Sequence, residues 1–302
     1  MKLMVTPKSL DNLKALEEVG VNEFIVYYDP LSVKNASAFD IKEIKEACEY
    51  CDYKDVKLYV GITKMLHNRD LAVLDIFMTD IKEVKLDGII YSDLAVYMTA
   101  KDLGVKHPLY YDGDMLATNS YTTTLVSADK VFLSKELYYE EIEAMAKNIE
   151  GDVVIHAQGL IGMFHSLRPL VTNYKDYLDI DVDTTSESNY LYDEERDLYY
   201  PIYENEKGSF ILGGKEICLI DQIDLLDEIG VTTLKIDGFM QSEKYLLNIS
   251  KAYIEAINLY NNQDKSIYKT AKGELLKVVE EESSRPLDKG FFFKPTLYKV
   301  KK

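Results

Sequence analysis

Short runs of β-branched and aromatic residues recur along the chain. Each is followed by an amphipathic stretch, a small turn residue and the next apolar run. The clearest copies are Glu17 to Val21 leading into Phe24-Ile25-Val26-Tyr27, and Asp227 to Val231 leading into Leu234-Lys235-Ile236-Asp237. An apolar run bounded by such turns marks a strand buried on both faces. The pattern predicts strands at Leu3–Val5, Glu23–Tyr28, Lys57–Ile62, Gly88–Tyr91, Pro108–Tyr111, Lys130–Leu133, Val153–His156 and Thr233–Asp237. Helices are expected between them at Leu10–Val19, Ile41–Cys51, Leu71–Val84, Leu94–Leu103, Thr118–Leu125, Tyr139–Asn148, Leu219–Glu228 and Tyr245–Tyr260. Ser9, Asp40 and Ser242 stand where N-caps belong. This alternation predicts an α/β fold, a (β/α)8 TIM-like barrel over residues 1–263; an open doubly wound sheet alternates in the same way.

The alternation breaks between Gln158 and Lys215, read as an insertion after the seventh strand. Within it, Asp179 to Glu206 carries ten acidic residues and only Arg196 as a base, with Tyr190, Tyr192, Tyr199, Tyr200 and Tyr203 interleaved. Tyrosines on that scale argue against disorder, so an ordered insertion over the barrel mouth is expected. Residues 264–302 form a short C-terminal extension, basic and aromatic at its end. Six bases and Phe291, Phe292, Phe293 and Tyr298 lie between Arg285 and Lys302. Such a segment either touches nucleic acid or packs its phenylalanines on the barrel as a strand with solvated lysines.

Composition narrows the function classes. The 302 residues carry 35 bases and 52 acids, a net charge of −17, which argues against a broad basic face for nucleic acid. No run of apolar residues reads as a signal peptide or a membrane span, and three cysteines do not make a disulfide scaffold. A cytoplasmic protein is expected, with no membrane contact. No glycine-rich nucleotide cradle is present. Cys48 and Cys51 lie toward the end of a helix, where the dipole does not activate a thiol.

In a (β/α)8 barrel the chemistry sits at the C-terminal ends of the strands. Those positions hold Asp112 and Asp114, Lys135 and Glu136, His156 and Gln158, then Asp237. Asp112, Glu136 and Asp237 each end or follow an apolar strand and are the candidate acid–base groups; Asp29, Ser92 and Asp93 read more simply as helix caps. Beyond the seventh strand come His165, Ser166, Arg168 and Asn173. Arg168 suits bidentate recognition of a carboxylate or phosphate, or an ion pair with the acidic insertion.

These residues also carry a resemblance. Gln158-Gly159, Ser166, Arg168 and Asn173-Tyr174, with Lys235-Ile236-Asp237-Gly238-Phe239, Lys135-Glu136, Asp114 with Asn119, and Arg285 with Gly290-Phe291, follow the order and spacing of the collagenase-like peptidases. That is family thirty-two among peptidases of unassigned catalytic type. The match runs over nearly the whole chain. Where the family's central motif has two cysteines, Gly162 and Pro169 stand here, and the later cysteine pair has no counterpart. In relatives these thiolates are thought to hold an iron–sulfur cluster, so none is expected to be bound by this chain. The family name implies proteolysis of collagen-like substrates, with a metal-assisted peptidase as the corresponding expectation for this chain. Other members act in tRNA modification, making 5-hydroxyuridine at the wobble position with prephenate as hydroxyl source. There a larger cysteine-bearing paralogue works with a shorter companion, which this chain resembles. On that resemblance Lys135, Arg168, His165, Asn119 and Gln158 are substrate-binding candidates, Glu136, Asp237 and Asp112 catalytic ones, and tRNA is met through the complex. A non-catalytic interaction partner is the remaining expectation.

Overall fold

A computed structural model describes residues 1–33, 36–114, 116–122, 129–186, 189–262 and 265–295. Eight strands form the barrel wall: β1 (Lys2–Val5), β2 (Glu23–Tyr27), β3 (Lys57–Ile62), β4 (Gly88–Tyr91), β5 (Leu109–Tyr111), β6 (Lys130–Phe132), the first part of β7 (Asp152–Ser166), and β11 (Thr233–Ile236). They pair in parallel in the order β5-β4-β3-β2-β1-β11-β7-β6. Among the described residues β5 and β6 share no ladder, so the wall has a seam there. The eight strands predicted from the sequence are these eight.

Period-two alternation divides each strand between two cores. Met4, Ile25, Tyr27, Tyr59, Ile90, Tyr110, Phe132 and Val154 fill the barrel interior. The alternate positions, such as Leu3, Val5, Phe24, Val26, Leu58 and Val60, join the helices in a larger outer core. The helices are α1 (Leu10–Glu18), α2 (Ile41–Lys54), α3 (Leu71–Ile81), α4 (Leu94–Leu103), α5 (Tyr139–Ala146), α6 (Leu170–Leu178), α7 (Ile223–Glu228), α8 (Glu243–Asn261) and α9 (Ser266–Glu282). Ser9 and Ser242 accept the expected capping hydrogen bonds, from the backbone amides of Asn12 and Tyr245, and Asp40 forms a full capping box with Glu43. The helix expected at Thr118–Leu125 falls partly outside the described residues.

Ions plug the bottom of the barrel. Lys130 Nζ lies 2.6 Å from Glu23 Oε2 and 3.3 Å from Asp152 Oδ2, and Lys2 reaches Asp152 at 2.7 Å. Lys130 and Glu23 are almost fully buried, and the ammonium also sits 5.0 Å from the Tyr59 ring centroid. The four residues begin β1, β2, β6 and β7, so the network ties four strand starts together.

Three regions depart from the sequence expectation. β7 does not stop near His156 but runs on to Ser166, pairing with β10 (Gly208–Cys218) to form an arm. The arm is completed by α6, β8 (Tyr190–Asp193) and β9 (Leu198–Asn205). Glycines and exposed residues interrupt the apolar pattern there, which hides the strand. The extension is mostly the helix α9; its buried residues are only Tyr268, Leu275 and Val279, too sparse a stripe to announce a helix. The phenylalanines at its end form a turn rather than a strand: Phe292 is buried, Phe291 and Phe293 are not. β12 (Leu287–Asp288) pairs with β10, and Lys289 and Lys294 are ion-paired to Asp221 and Asp288.

Candidate functional site

The arm and the strand ends enclose a cavity of about 130 Å³ at the barrel mouth. Tyr27, Thr63, Ser92, Asp112, Asp114, Lys135, Lys235 and Asp237 supply its polar lining, and Val33, Leu160, Leu212 and Phe239 its apolar walls. Strand alternation places Lys235 and Asp237 on the barrel side, while Leu234 and Ile236 enter the outer core. Lys235 Nζ lies 3.6 Å from Asp112 Oδ2, and Lys135 Nζ 3.2 Å from Asp114 Oδ1. Asp112 is itself held, its Oδ1 accepting from the Asp114 amide at 3.1 Å, and Ser92 Oγ donates to the Asp112 carbonyl. Asp237 Oδ1 accepts the Phe239 amide at 3.0 Å.

Electrostatics fix the charge states. Burial works against the Lys235 ammonium, but Tyr27, Asp112 and Asp237 outweigh it, so its pKa lies above the ordinary lysine value. Burial likewise works against the Asp237 carboxylate, and the charges of Lys235, His156 when protonated, and Lys135 overcome it; its pKa is lowered. Burial pushes the Tyr27 phenol upward. At neutral pH the site therefore holds an ammonium, a carboxylate acceptor and a neutral phenol side by side. The lining carries two lysines against three aspartates, a net negative charge with both ammoniums paired. Asp237 is a strong acceptor and a poor general acid at pH 7.

His156 neighbours Lys235 across the β7–β11 ladder. Both ring nitrogens are buried without a hydrogen-bond partner. Burial first, then the charge on Lys135, depress its pKa to about 3. A register shift follows immediately: Lys235 pairs with His156, but Ile236 pairs with Gln158. This bulge turns Gln158 into the outer core, where its Nε2 donates to Glu216 Oε1 and Tyr245 OH and its Oε1 accepts from Tyr253 OH. Gly159 follows with φ +127°, and a Cβ there would meet the Asp237 carbonyl at 2.9 Å, so the glycine is what lets the two chains close.

The structure thus gathers Asp112, Asp114, Lys135 and Asp237 at one cavity and leaves other candidates apart. Glu136 is partly exposed outside the lining, its amide donating to Ser134 Oγ. Asn119 is exposed and accepts from the Thr122 amide. His165 sits on the arm, stacked on Phe210 at 4.5 Å with Nε2 2.9 Å from the Lys207 carbonyl. Arg168 is exposed on the arm with no carboxylate at ion-pair distance among the described residues. Of the positions read as helix caps, Asp93 caps α4 and Asp29 pairs with Lys207. Reading strand ends alone missed Tyr27 and Lys235. The available signal was a lysine two residues before Asp237 inside an otherwise apolar strand.

Residues 8–302 match the model of Peptidase family U32. The chain belongs to this family. Among U32 relatives it is 30% identical to tRNA hydroxylation protein P2 of Bacillus subtilis, over 98% of this chain and 99% of the relative. It is 22% identical to tRNA hydroxylation protein P1 of the same organism, over 86% of this chain and 63% of that longer protein. A collagenase of Porphyromonas gingivalis is 23% identical over 86% of this chain and 66% of its own length. Among solved structures, the U32 peptidase Mk0906 aligns with a TM-score of 0.46 at 11% identity, covering 78% of this chain and 92% of the other.

The cluster expected of cysteine-bearing U32 members does not fit the residues present. Gly162 lines the mouth cavity and Pro169 precedes α6, neither offering a thiolate. Cys48 and Cys51 are buried on α2 and Cys218 on β10. Burial pushes their thiols up to about 12, about 12 and about 11. Among the described residues no group of three or more His, Cys, Asp or Glu side chains is placed to hold a metal ion, and no helix is long and apolar enough to cross a membrane.

Proposed function

We propose that this U32 protein acts in tRNA hydroxylation, as the short subunit of a system that converts the wobble uridine to 5-hydroxyuridine. Prephenate serves as hydroxyl source, and a larger cysteine-bearing paralogue works beside this chain. The observation that carries the reading is the nearly end-to-end match to tRNA hydroxylation protein P2, together with the second match to P1 of the same organism. The charge of the mouth cavity supports a division of labour. Prephenate is a dianion, and a net-negative lining whose two lysines are already paired is poorly suited to it. An uncharged uracil ring suits it better: Asp237 can accept from a ring N–H, Lys235 and Tyr27 can donate to ring carbonyls, and Phe239 and Leu160 offer apolar walls. This chain then positions the base, and the cysteine-bearing partner holds the cluster and prephenate. Tyr27, Lys235 and Asp237 orient the ring; no redox step is assigned to them. The collagenase relative supports a peptidase reading through its name alone, and nothing in the cavity favours it. The test is mass spectrometry of tRNA nucleosides from a strain lacking this chain. Loss of 5-hydroxyuridine derivatives is expected; their persistence at the parental level sinks the reading.

A further inference from the structure

Helix α6 buries none of its residues. Its apolar side chains nevertheless fall at i, i+4, i+7 and i+8: Leu170, Tyr174, Tyr177 and Leu178, exposed by 39, 59, 83 and 43%. That spacing is the stripe a helix uses to pack on a core, turned here to solvent. Leu167 and Ile180, just before and after the helix, extend the same exposed apolar character.

The helix is nonetheless held firmly. The buried Glu204 carboxylate accepts from the amides of Val171 and Thr172 at 2.9 and 3.3 Å, and Ser209 Oγ accepts the Leu170 amide at 2.9 Å. Burial works against the Glu204 charge, and the hydrogen bonds from Ser209, Thr172 and the two amides outweigh it, so the carboxyl stays ionised. A carboxylate on a helix N-terminus is also favoured by the dipole. Beneath it, Tyr203 stacks on Phe210 at 4.9 Å, and Val33, Leu160 and Leu212 complete a small core joining arm to barrel. An apolar stripe carried on a rigid mount costs little entropy to dock.

We propose that the apolar face of α6 is the docking surface for the cysteine-bearing paralogue, and that the paralogue meets it with an apolar groove rimmed by lysines and arginines. Charge argues against two other occupants. The segment following the helix, Asp179 to Glu206, carries ten acids against Arg196. A second copy of this chain would bring the same acids to the interface, and an RNA would bring phosphates; both are repelled. A basic-rimmed protein groove is attracted, and exposed tyrosine and leucine are the side chains that anchor such contacts. The arm roots in the pairing of Gly162 with Leu212, and both of these line the mouth cavity. The arm that carries α6 thus shares wall residues with the mouth cavity. The assignment rests on the two-subunit reading of the function.

Co-expression of the tagged full-length chain with the cysteine-bearing paralogue tests it. The wild-type chain is expected to co-purify with the paralogue. The double variant Tyr174→Asp/Leu178→Asp should lose at least ten-fold of it with an unchanged melting temperature, since both side chains are exposed. Tyr53→Asp, a still more exposed tyrosine on α2, should retain it. Raised salt should weaken the wild-type complex. Full retention by the double variant, failure of the wild-type chain to capture the paralogue, or a double variant that instead loses self-association or RNA binding overturns the proposal. The functional reading is judged separately by tRNA nucleosides. Loss of 5-hydroxyuridine in the deletion strain with a double variant that still captures the paralogue defeats the docking face alone. A formed complex with 5-hydroxyuridine persisting in the deletion strain defeats the functional reading alone.

Discussion

Lys235 and Asp237 line the barrel mouth, His156 lies beside Lys235 across the β7–β11 ladder, and each answers its neighbours differently. Lys235 keeps its charge against burial because Tyr27, Asp112 and Asp237 face it, and His156 gives up its proton first because it is buried and then because Lys135 and Lys235 lie near. The histidine makes the clearest pH prediction. In the unfolded chain it binds a proton near 6.5, whereas in the fold it does so only near 3. The unfolded state thus holds more protons across that window, and stability falls as pH drops through it, by up to about 1.4 kcal/mol per pH unit. Carboxylates with lowered pKa, such as Asp152 and Asp237, add their own losses only near and below their unfolded value. Urea unfolding between pH 6.5 and 5 should therefore show a slope that His156→Gln flattens; an unchanged slope would refute the assignment. At the barrel bottom, Lys130→Met leaves Glu23 buried without its main partner. A cost of about 3–5 kcal/mol is expected in the same assay, and a loss below about 1 kcal/mol would show that the charge is solvated after all. The carboxylates Asp112 and Asp237 were legible in the sequence because each ends or follows an apolar strand. Lys130 was not, nor was the place of Lys235 in the site, because a lysine inside an apolar run looks like a surface position until the topology brings its partner across the barrel.

Among the elements, the barrel strands were readable and the arm was not. A strand buried on both faces reads as a largely apolar run, and β1 to β4, β6 and β11 are of that kind. The long β7 begins as such a run, then leaves the barrel, bulges at the turn to Gln158 and continues with one face open. Its pattern changes where its surroundings change, so the sequence alone suggested an end at His156. α9 escaped notice for the opposite reason, being polar on most of its surface with Gly273 at its middle. The arm's rigidity depends on a residue far from its helix in sequence. Glu204→Ala removes the acceptor at the start of α6 and should cost about 1 kcal/mol, the usual loss of an N-terminal cap. Hydrogen exchange should show the amides of Val171 and Thr172 becoming unprotected while β1 and β11 stay protected. Protection at α6 equal to wild type would show that the helix stands without the carboxylate.

For the whole molecule, the net charge of −17 is unevenly placed, and the placement matters more than the total. The acids concentrate on the arm, the basic residues at the chain's end are partly consumed in pairs with Asp221 and Asp288, and residues 296–302 lie outside those described. The fold class followed from counting strand–helix units. The family followed from the order of small motifs around Gly159, Lys235 and Arg285. The spatial gathering of the site did not follow from either, since Glu136, Asn119, His165 and Arg168 are close to the right strands in sequence yet point elsewhere in space. In the proposed function the mouth cavity of this chain positions the base in tRNA hydroxylation. The most direct measurement is the tRNA 5-hydroxyuridine content, by mass spectrometry, of a deletion strain complemented with wild-type or Asp237→Asn protein at equal levels. Restoration by the wild type and at least a ten-fold deficit with Asp237→Asn is the predicted result. Full restoration by the variant, or no dependence on the chain at all, would contradict it.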